Sequence, residues 1–346
     1  MLYSKQYTGD LLSQLPDEIA VQLKGKRIAI TGASGLICSY IIDALMEINR
    51  EKKTEIYIYA LGRNIESLKE RFKIYNNNQY LQFVKYNIFE PFPVMDIDFI
   101  IHGASPAYPK AFADDPVGTM NSNYLGMLNI LESARVTNTR ILFISSAEIY
   151  GKAAEEKTWE ESESGSIDPL KFRSCYPISK RAAETLCAAY KEQFNVDFVT
   201  ARPCHVFGPT MTVNDNRAIS SFIRNAVKNE PIIMKSEGTA IRSYCYAGDC
   251  FSAIIHILLF GKSGEAYNIS NEDNLVSVGK AADIISLIGN IDVIIDIPGG
   301  DVKTGFSTVD KIIISSQKLK NLGWKAKTTL EDGLKKTITT LRCERE

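Results

Sequence analysis

Thr31-Gly32-Ala33-Ser34-Gly35-Leu36-Ile37-Cys38 is the stretch from which the fold is read. It closes a short apolar run, Arg27–Thr31, and leads straight into a helical one, Leu36–Arg50. Glycines at a strand-to-helix turn let backbone approach a pyrophosphate, and the helix start supplies N–H donors and the positive end of a dipole. The turn therefore predicts a dinucleotide cradle built from Gly32, Ser34, Gly35, Leu36 and Ile37. A third glycine is expected at position 38. Cys38 stands there instead, small enough to keep helix and strand close.

Outward from this turn, runs rich in Ile, Val, Phe and Tyr alternate with amphipathic ones. Strands are expected at Arg27–Thr31, Glu55–Ala60, Leu81–Tyr86, Phe99–His102, Ile141–Ser145 and Phe198–Arg202. Helices are expected at Leu36–Arg50, Ile65–Ile74, Val117–Val136 and Ser179–Phe194. Continuously apolar strands alternating with helices imply a parallel sheet covered on both faces. Right-handed crossovers make it an α/β, doubly wound sheet of the Rossmann kind. After Arg202 the rhythm changes. Pro203, Pro209 and Pro231 punctuate short mixed segments, followed by a helix over Asp249–Phe260 and a strand over Ala266–Ile269. The expected organisation is an extension (1–25) with a short helix at Asp17–Leu23, a dinucleotide-binding domain (26–202), and a smaller substrate-binding cap (203–346). Some cap segments are expected to return to the first domain, and the cap to sit on the strand carboxyl ends, where such sheets bind ligands.

Composition narrows the function. The 346 residues are 45% apolar and 23% charged with a formal charge of -1, so no electrostatic grip on nucleic acid or a membrane surface is expected. The longest apolar stretch, Phe251–Phe260, is interrupted by His256 and falls far short of the about 20 residues a membrane helix needs. The start of the chain carries acids and breaks before an apolar core of signal-peptide length. Seven cysteines stand singly, without C-x-x-C spacing, so reduced thiols in cytoplasm are expected. Three histidines at no ligand spacing imply no metal centre. Ala60-Leu61-Gly62-Arg63-Asn64 carries no acid for a ribose 2′-hydroxyl. Arg63 could meet a 2′-phosphate bidentately or be a plain exposed arginine, so NAD and NADP both stay open.

Two further motifs follow in order. Ser145-Ser146-Ala147-Glu148-Ile149-Tyr150-Gly151 comes after a strand, and Tyr176-Pro177-Ile178-Ser179-Lys180 is a Y-x-x-x-K at a helix start. With the glycine turn, they resemble the extended short-chain dehydrogenase/reductases, the NAD-dependent epimerase/dehydratase family acting on nucleotide sugars, over roughly residues 26–270. The resemblance implies a retained NAD or NADP, a nucleotide-sugar substrate, and a homodimer through the helices after Lys180 and near Leu128. Tyr176 and Lys180 share one helical face. Tyr176 is then the general base, its phenol pKa lowered by the Lys180 ammonium and the nicotinamide charge. Lys180 also holds the nicotinamide ribose, and Ser146 shares the reacting proton. Gly103, Ala104 and Ser105, followed by Pro106 on the substrate side, match backbone that the family wraps around the cofactor. Asn87-Ile88 replaces a usual acid near adenine, and Pro203 joins the cofactor set. Asn123 resembles an asparagine that braces the site through its helix; a buried satisfied amide is the other reading.

Ala104-Ser105-Pro106-Ala107, Ser174-Cys175-Tyr176 and Gly208-Pro209-Thr210-Met211 with Asn214-Asp215-Asn216-Arg217 look most like UDP-glucuronate decarboxylases. That likeness implies oxidation at the sugar C4, loss of carbon dioxide from the resulting β-keto acid, and return of the hydride. Glu148 would move a proton at C5, or be a structural acid at a strand end. Ala147 stands where 4,6-dehydratases have an acid and decarboxylases usually serine; Ser-Ser-Ala is how many 4-epimerases read. A 4-epimerase is therefore the second reading and a 4,6-dehydratase the third. A dinucleotide-sensing regulator is the alternative outside enzymes. His205 replaces the family asparagine on the sugar diphosphate; it would couple affinity to pH or mark a different sugar orientation. Arg217 and Arg242 are expected to bind the diphosphate or a carboxylate, plain surface cations being the other reading, and Asp249 to cap a helix.

Overall fold

The computed structural model describes residues 4–93, 95–297 and 311–343. In its first half the strands are β1 (Arg27–Thr31), β2 (Tyr57–Gly62), β3 (Leu81–Lys85), β4 (Phe99–His102), β5 (Arg140–Ile144), β6 (Thr158–Trp159) and β7 (Phe198–Pro203). The second half adds β8 (His205–Phe207), β9 (Ile232–Met234), β10 (Ile241–Tyr246), β11 (Ala266–Ile269), β12 (Leu275–Ser277), β13 (Val293–Ile295) and β14 (Lys311–Ile314). The main sheet runs β11-β7-β5-β4-β1-β2-β3, every neighbouring pair parallel. Chain order reverses between β1 and β4, and at such a switch point the carboxyl ends leave a crevice. Thr31 and His102 are register partners there.

The helices are α1 (Lys5–Ser13), α2 (Asp17–Val21), α3 (Leu36–Lys52), α4 (Ile65–Arg71), α5 (Pro109–Asp114) and α6 (Pro116–Thr137). They continue as α7 (Cys175–Phe194), α8 (Ala218–Lys228), α9 (Ala247–Phe260), α10 (Val278–Gly289), α11 (Gln317–Lys320) and α12 (Leu330–Cys343). Apolar stripes of α3 and α9 cover one face of the sheet, those of α6 and α7 the other. Sequence from the second half re-enters this layer: β11 extends the sheet and α9 packs on it. A smaller sheet, β12-β10-β14-β6 with β8 beside β10, stands over the carboxyl ends, and β9 pairs β13 separately.

Several boundaries differ from expectation for local reasons. Glu55 adopts a left-handed φ of 56°, so β2 starts only at Tyr57. The expected helix Ile65–Ile74 ends at Arg71, with a separate 3-10 turn over Lys73–Tyr75. α7 begins at Cys175 rather than Ser179, and Pro177 is tolerated because the first turn has no intrahelical use for its N–H. Tyr176 and Lys180 are thus both helical. Asp249 is not an N-cap: Tyr246 is, and the Asp249 carboxylate accepts the N–H groups of Lys327 and Thr328 at 3.0 Å each.

The helix α1 was not expected, since KQYTGDLLS offers few apolar residues. Ser4 caps it by accepting the Tyr7 N–H, and it buries Tyr7, Asp10 and Leu11. The Asp10 carboxylate accepts from Tyr40 of α3 (2.8 Å), Tyr246 of β10 (2.6 Å), Gln14 (3.0 Å) and Lys336 of α12 (2.7 Å). One N-terminal side chain therefore ties the helix after β1 to the strand and helix of the other half. Residues 1–3 of the extension lie outside the described residues.

Candidate active site

Gly32 has φ +70°, and a Cβ there would lie 2.7 Å from the Gly103 carbonyl oxygen and 2.8 Å from Ala104. Only glycine fits this approach of the β1 and β4 carboxyl ends. Gly35 donates to the Gly32 carbonyl at 2.8 Å and serves as N-cap of α3 without any side-chain cap. Leu36 and Ile37 follow it into the wall of the cleft, so the uncapped, positive start of a 17-residue helix faces an open space. That is the arrangement a pyrophosphate fits. Cys38 turns inward, its thiol donating to the Thr31 carbonyl at 3.4 Å. The Thr31 hydroxyl pairs with His102 Nδ1 (2.8 Å) and accepts from the Ala104 N–H (3.3 Å). Thr210, from the second half, donates to the Leu36 carbonyl at 2.8 Å and fastens the two halves beside the cradle.

The cleft above has a volume of about 240 Å³. Gly35, Leu36, Ile37, Gly103, Ser105 and Pro203 line one part of it. Ser146, Glu148, Tyr176, Lys180, His205 and Arg217 line another, so the sequence-derived catalytic set converges. Ser34, Ala104 and Pro106 adjoin wall residues in the chain, and Gly32 stands three residues before Gly35. Arg63, Asn87, Ile88, Asn123 and Arg242 lie outside the wall. Arg63 is exposed after β2. The Asn87 side chain accepts from Phe89 N–H, and the Ile88 carbonyl accepts from Asn129. Asn123 is buried and donates to the Ser179 hydroxyl (2.9 Å), which donates to the Tyr176 carbonyl (3.0 Å). It braces α6 against α7 behind the cleft and does not face a cofactor space. Arg242 donates to the Ile241 carbonyl at 2.8 Å, close enough to His205 to act on its charge.

Electrostatics corrects two expectations. The Tyr176 phenol is pushed up to about 12, chiefly by burial and then by the Glu148 charge; a bond from Ser146, then Arg173 and Arg217, oppose this. The net shift is upward, and the Lys180 ammonium is not among the groups that lower it. Lys180, whose Nζ donates to the Ile144 carbonyl at 2.8 Å, is itself pulled down to about 7 by burial, against the attraction of Glu184. His205 is driven to about 3 by burial and the Arg242 and Arg217 charges, which favours the neutral ring over the charged one expected. Arg217 is held by Asp215 through Nε and Nη2, at 3.0 and 2.6 Å.

Sequence reasoning missed Arg173, Phe112 and Asp215. Among the described residues Glu148 accepts no backbone bond at a strand end; it pairs with Arg173 Nη2 at 3.1 and 3.0 Å. Phe112 of α5 stacks on Tyr176, ring centroids 4.5 Å apart. A charged residue one turn before the Y-x-x-x-K tyrosine, and an acid two residues before Arg217, were the available signals.

A glycine cradle at a parallel-sheet switch point, with Ser, Tyr and Lys in the cleft beside it, defines a Rossmann-type dinucleotide enzyme. The model of the NAD dependent epimerase/dehydratase family matches residues 28–270, and the chain belongs to that family. A dinucleotide sensor without turnover is thereby set aside. Similar curated proteins include UDP-glucuronic acid decarboxylase 3 of Arabidopsis thaliana, 33% identical over 316 residues, covering 89% of this chain and 86% of that protein. UDP-glucuronic acid decarboxylase 1 of Xenopus tropicalis is 31% identical, covering 93% and 73%. Among solved structures, the UDP-glucuronic acid 4-epimerase of Bacillus cereus, in complex with UDP-glucuronic acid and NAD, has a TM-score of 0.78 at 21% identity, covering 92% of this chain and 99% of that one. The dTDP-glucose 4,6-dehydratase of Bacillus anthracis in complex with NAD scores 0.77 at 20%, covering 92% and 97%. At such identities these two establish the fold. Among the described residues no helix is long and apolar enough to cross a membrane.

Proposed function

We propose that the protein decarboxylates a nucleotide-linked uronic acid, UDP-glucuronate first among candidates, through transient oxidation at C4 by a retained NAD. The observation that carries this reading is Glu148 in the same cleft as Ser146, Tyr176 and Lys180. The relatives named UDP-glucuronic acid decarboxylase, at up to 33% identity, support it. The cradle residues Gly32, Ser34, Gly35, Leu36 and Ile37, with Gly103 to Ser105, would hold the dinucleotide. Bound there, NAD would supply reversible hydride acceptance from the sugar, and a positive nicotinamide beside Tyr176 would oppose the effect of burial on its phenol. Tyr176 accepts the 4-hydroxyl proton while Ser146 bonds the same oxygen. The C4 ketone lies β to the carboxylate, so carbon dioxide leaves as the electron pair moves toward the carbonyl oxygen. Glu148 then relays a proton taken up from solvent to C5, and Tyr176 returns its proton to the C4 oxygen as that carbon is reduced again. Arg217, already paired to Asp215, has Nη1 left for a phosphate or carboxylate oxygen, with Arg242 and neutral His205 beside it. Arg63 is the residue through which NADP would be accepted.

The second reading, 4-epimerisation, is favoured by Ala147, which lines the cleft where an acid or serine would otherwise stand. Dehydration lacks its acid there. The active form is a homodimer through α6 and α7: α6 exposes Val117, Met120, Tyr124 and Leu125. A monomer in sedimentation at working concentration contradicts that assembly. In a reducing compartment the seven cysteines, none of them in a disulfide among the described residues, stay thiols.

The deciding experiment incubates the protein with UDP-, dTDP-, CDP- and GDP-sugars, uronates included, and follows mass and chromatographic mobility. Loss of carbon dioxide from a uronate supports decarboxylation. Loss of water, or an epimer of unchanged mass, replaces it.

A further inference from the structure

Behind the wall that carries Glu148 lies a second cavity of about 170 Å³, lined by Lys152, Ser166, Asp168, Lys171 and Arg173 among others. Glu148 and Ile312 face both spaces, whereas Arg173 faces only this rear one. Arg173 sits in the 3-10 turn Phe172–Ser174, a turn before Tyr176. Its Nη2 reaches both Glu148 oxygens, at 3.1 and 3.0 Å. Its guanidinium lies 4.7 Å from the centroid of Phe112, the ring that also stacks on Tyr176, centroids 4.5 Å apart with planes 21° from parallel. Its Nε is buried with no hydrogen-bond partner among the described residues. An arginine kept only for structure would turn to pair that donor. Here the stack and the grip on Glu148 dictate the plane instead.

We propose that Arg173 is a positioning residue: from the rear cavity it fixes the orientation of the Glu148 carboxylate and, through Phe112, the seat of the Tyr176 ring. The inference rests on the proposed roles of Glu148 and Tyr176 in proton transfer. Arg173 touches no substrate. It acts on both proton-handling groups at once, one by charge and one by ring contact. Lysine would keep the charge but could neither lie flat on Phe112 nor present a planar fork. The charged groups that act on the phenol are Glu148, which raises it, and Arg173 and Arg217, which lower it; the Lys180 Nζ is 5.8 Å from its ring. Removing Arg173 therefore moves the rising limb of activity to higher pH, and removing Glu148 moves the Tyr176 phenol titration to lower pH.

The test uses the full chain with UDP-glucuronate and compares Arg173→Ala, Arg173→Lys and Glu148→Gln. Arg173→Ala is expected to lose roughly ten- to hundredfold in kcat with KM little changed, and to shift its rising limb upward. Because the deleted side chain opens into the rear cavity, millimolar guanidinium chloride should restore rate and thermal midpoint, while tetramethylammonium chloride should not. Arg173→Lys should keep the limb near its original pH and recover only part of the rate. Wild-type rates in the alanine variant, or a loss that guanidinium leaves unrepaired with an unshifted limb, overturn the assignment. A wild type inert on every uronate overturns the functional reading instead. Arg173 is then judged by the Tyr176 phenol titration, obtained by difference against Tyr176→Phe, which shifts upward in Arg173→Ala if the assignment holds and stays put if it fails.

Discussion

The sulfur of Cys38 occupies the space beside Gly103 that any side chain at Gly103 would need: a Cβ there would lie 2.4 Å from Cys38 Sγ and 3.2 Å from Ile144 Cδ1. The helix after β1 carries a thiol where a third glycine is expected, and the backbone opposite, after β4, gives up its side chain. The close approach is kept by exchanging which partner is small.

Gly103→Ala should therefore cost about 1–3 kcal/mol of stability through overpacking and weaken dinucleotide binding, since the cradle wall must move. Adding Cys38→Gly should regain part of both, because Ile144 still crowds the new methyl. Urea unfolding and a binding titration read the two effects. An alanine variant as stable as wild type would show that the turn has slack the geometry denies.

Tyr176→Phe keeps the stack on Phe112 and removes only the hydroxyl. Turnover is expected to fall by at least about a hundredfold, with NAD binding and thermal midpoint close to wild type. A variant with comparable rate on the true substrate would remove Tyr176 from the chemistry.

Lys180 gives a pH signature. Burial pulls its folded pKa down to about 7 from 10.5. Between those values the unfolded chain holds a proton that the folded chain has lost, so stability rises with pH across this window. One proton corresponds to about 1.4 kcal/mol per pH unit. Below the folded pKa both states are charged and the slope vanishes. Lys180→Met should abolish the rise between pH 7 and 9, measured as urea midpoints. Equal slopes in the two proteins would mean that the ammonium stays charged in the fold.

Asp10 lies outside the stretch matched by the family, residues 28–270, yet it accepts from Tyr40, Tyr246, Gln14 and Lys336. Asp10→Ala leaves Tyr40, Tyr246 and Gln14 buried without their acceptor and should cost about 3 kcal/mol. Denaturant unfolding checks it. A loss under about 1 kcal/mol would show that water replaces the carboxylate.

Much of the frame was legible because its signals are local. β1, β4 and β11 coincide with their apolar runs, and the glycine turn sits where Gly32 takes a positive φ. Ser146, Glu148, Tyr176 and Lys180 do share a cleft. Asn123, read as a brace on its helix, bonds α7 through Ser179. α1 escaped notice because its stabilisation comes from a buried carboxylate bonded across the chain rather than from an apolar stripe. Arg173 escaped because nothing in its neighbours announces that Phe112, some sixty residues away in the chain, will lie beneath it.

Short-range pattern alone determined the alternation of strands and helices, the parallel sheet with its cradle, and which side chains could carry proton transfer. Those properties depend on residues a few positions apart. Tertiary structure decided the protonation tendencies, with Tyr176 pushed up, Lys180 pulled down and His205 neutral, and it decided that Glu148 is gripped from behind by Arg173. Desolvation and charge pairing depend on which distant segments close over a group, and burial was the largest influence on all three pKa values.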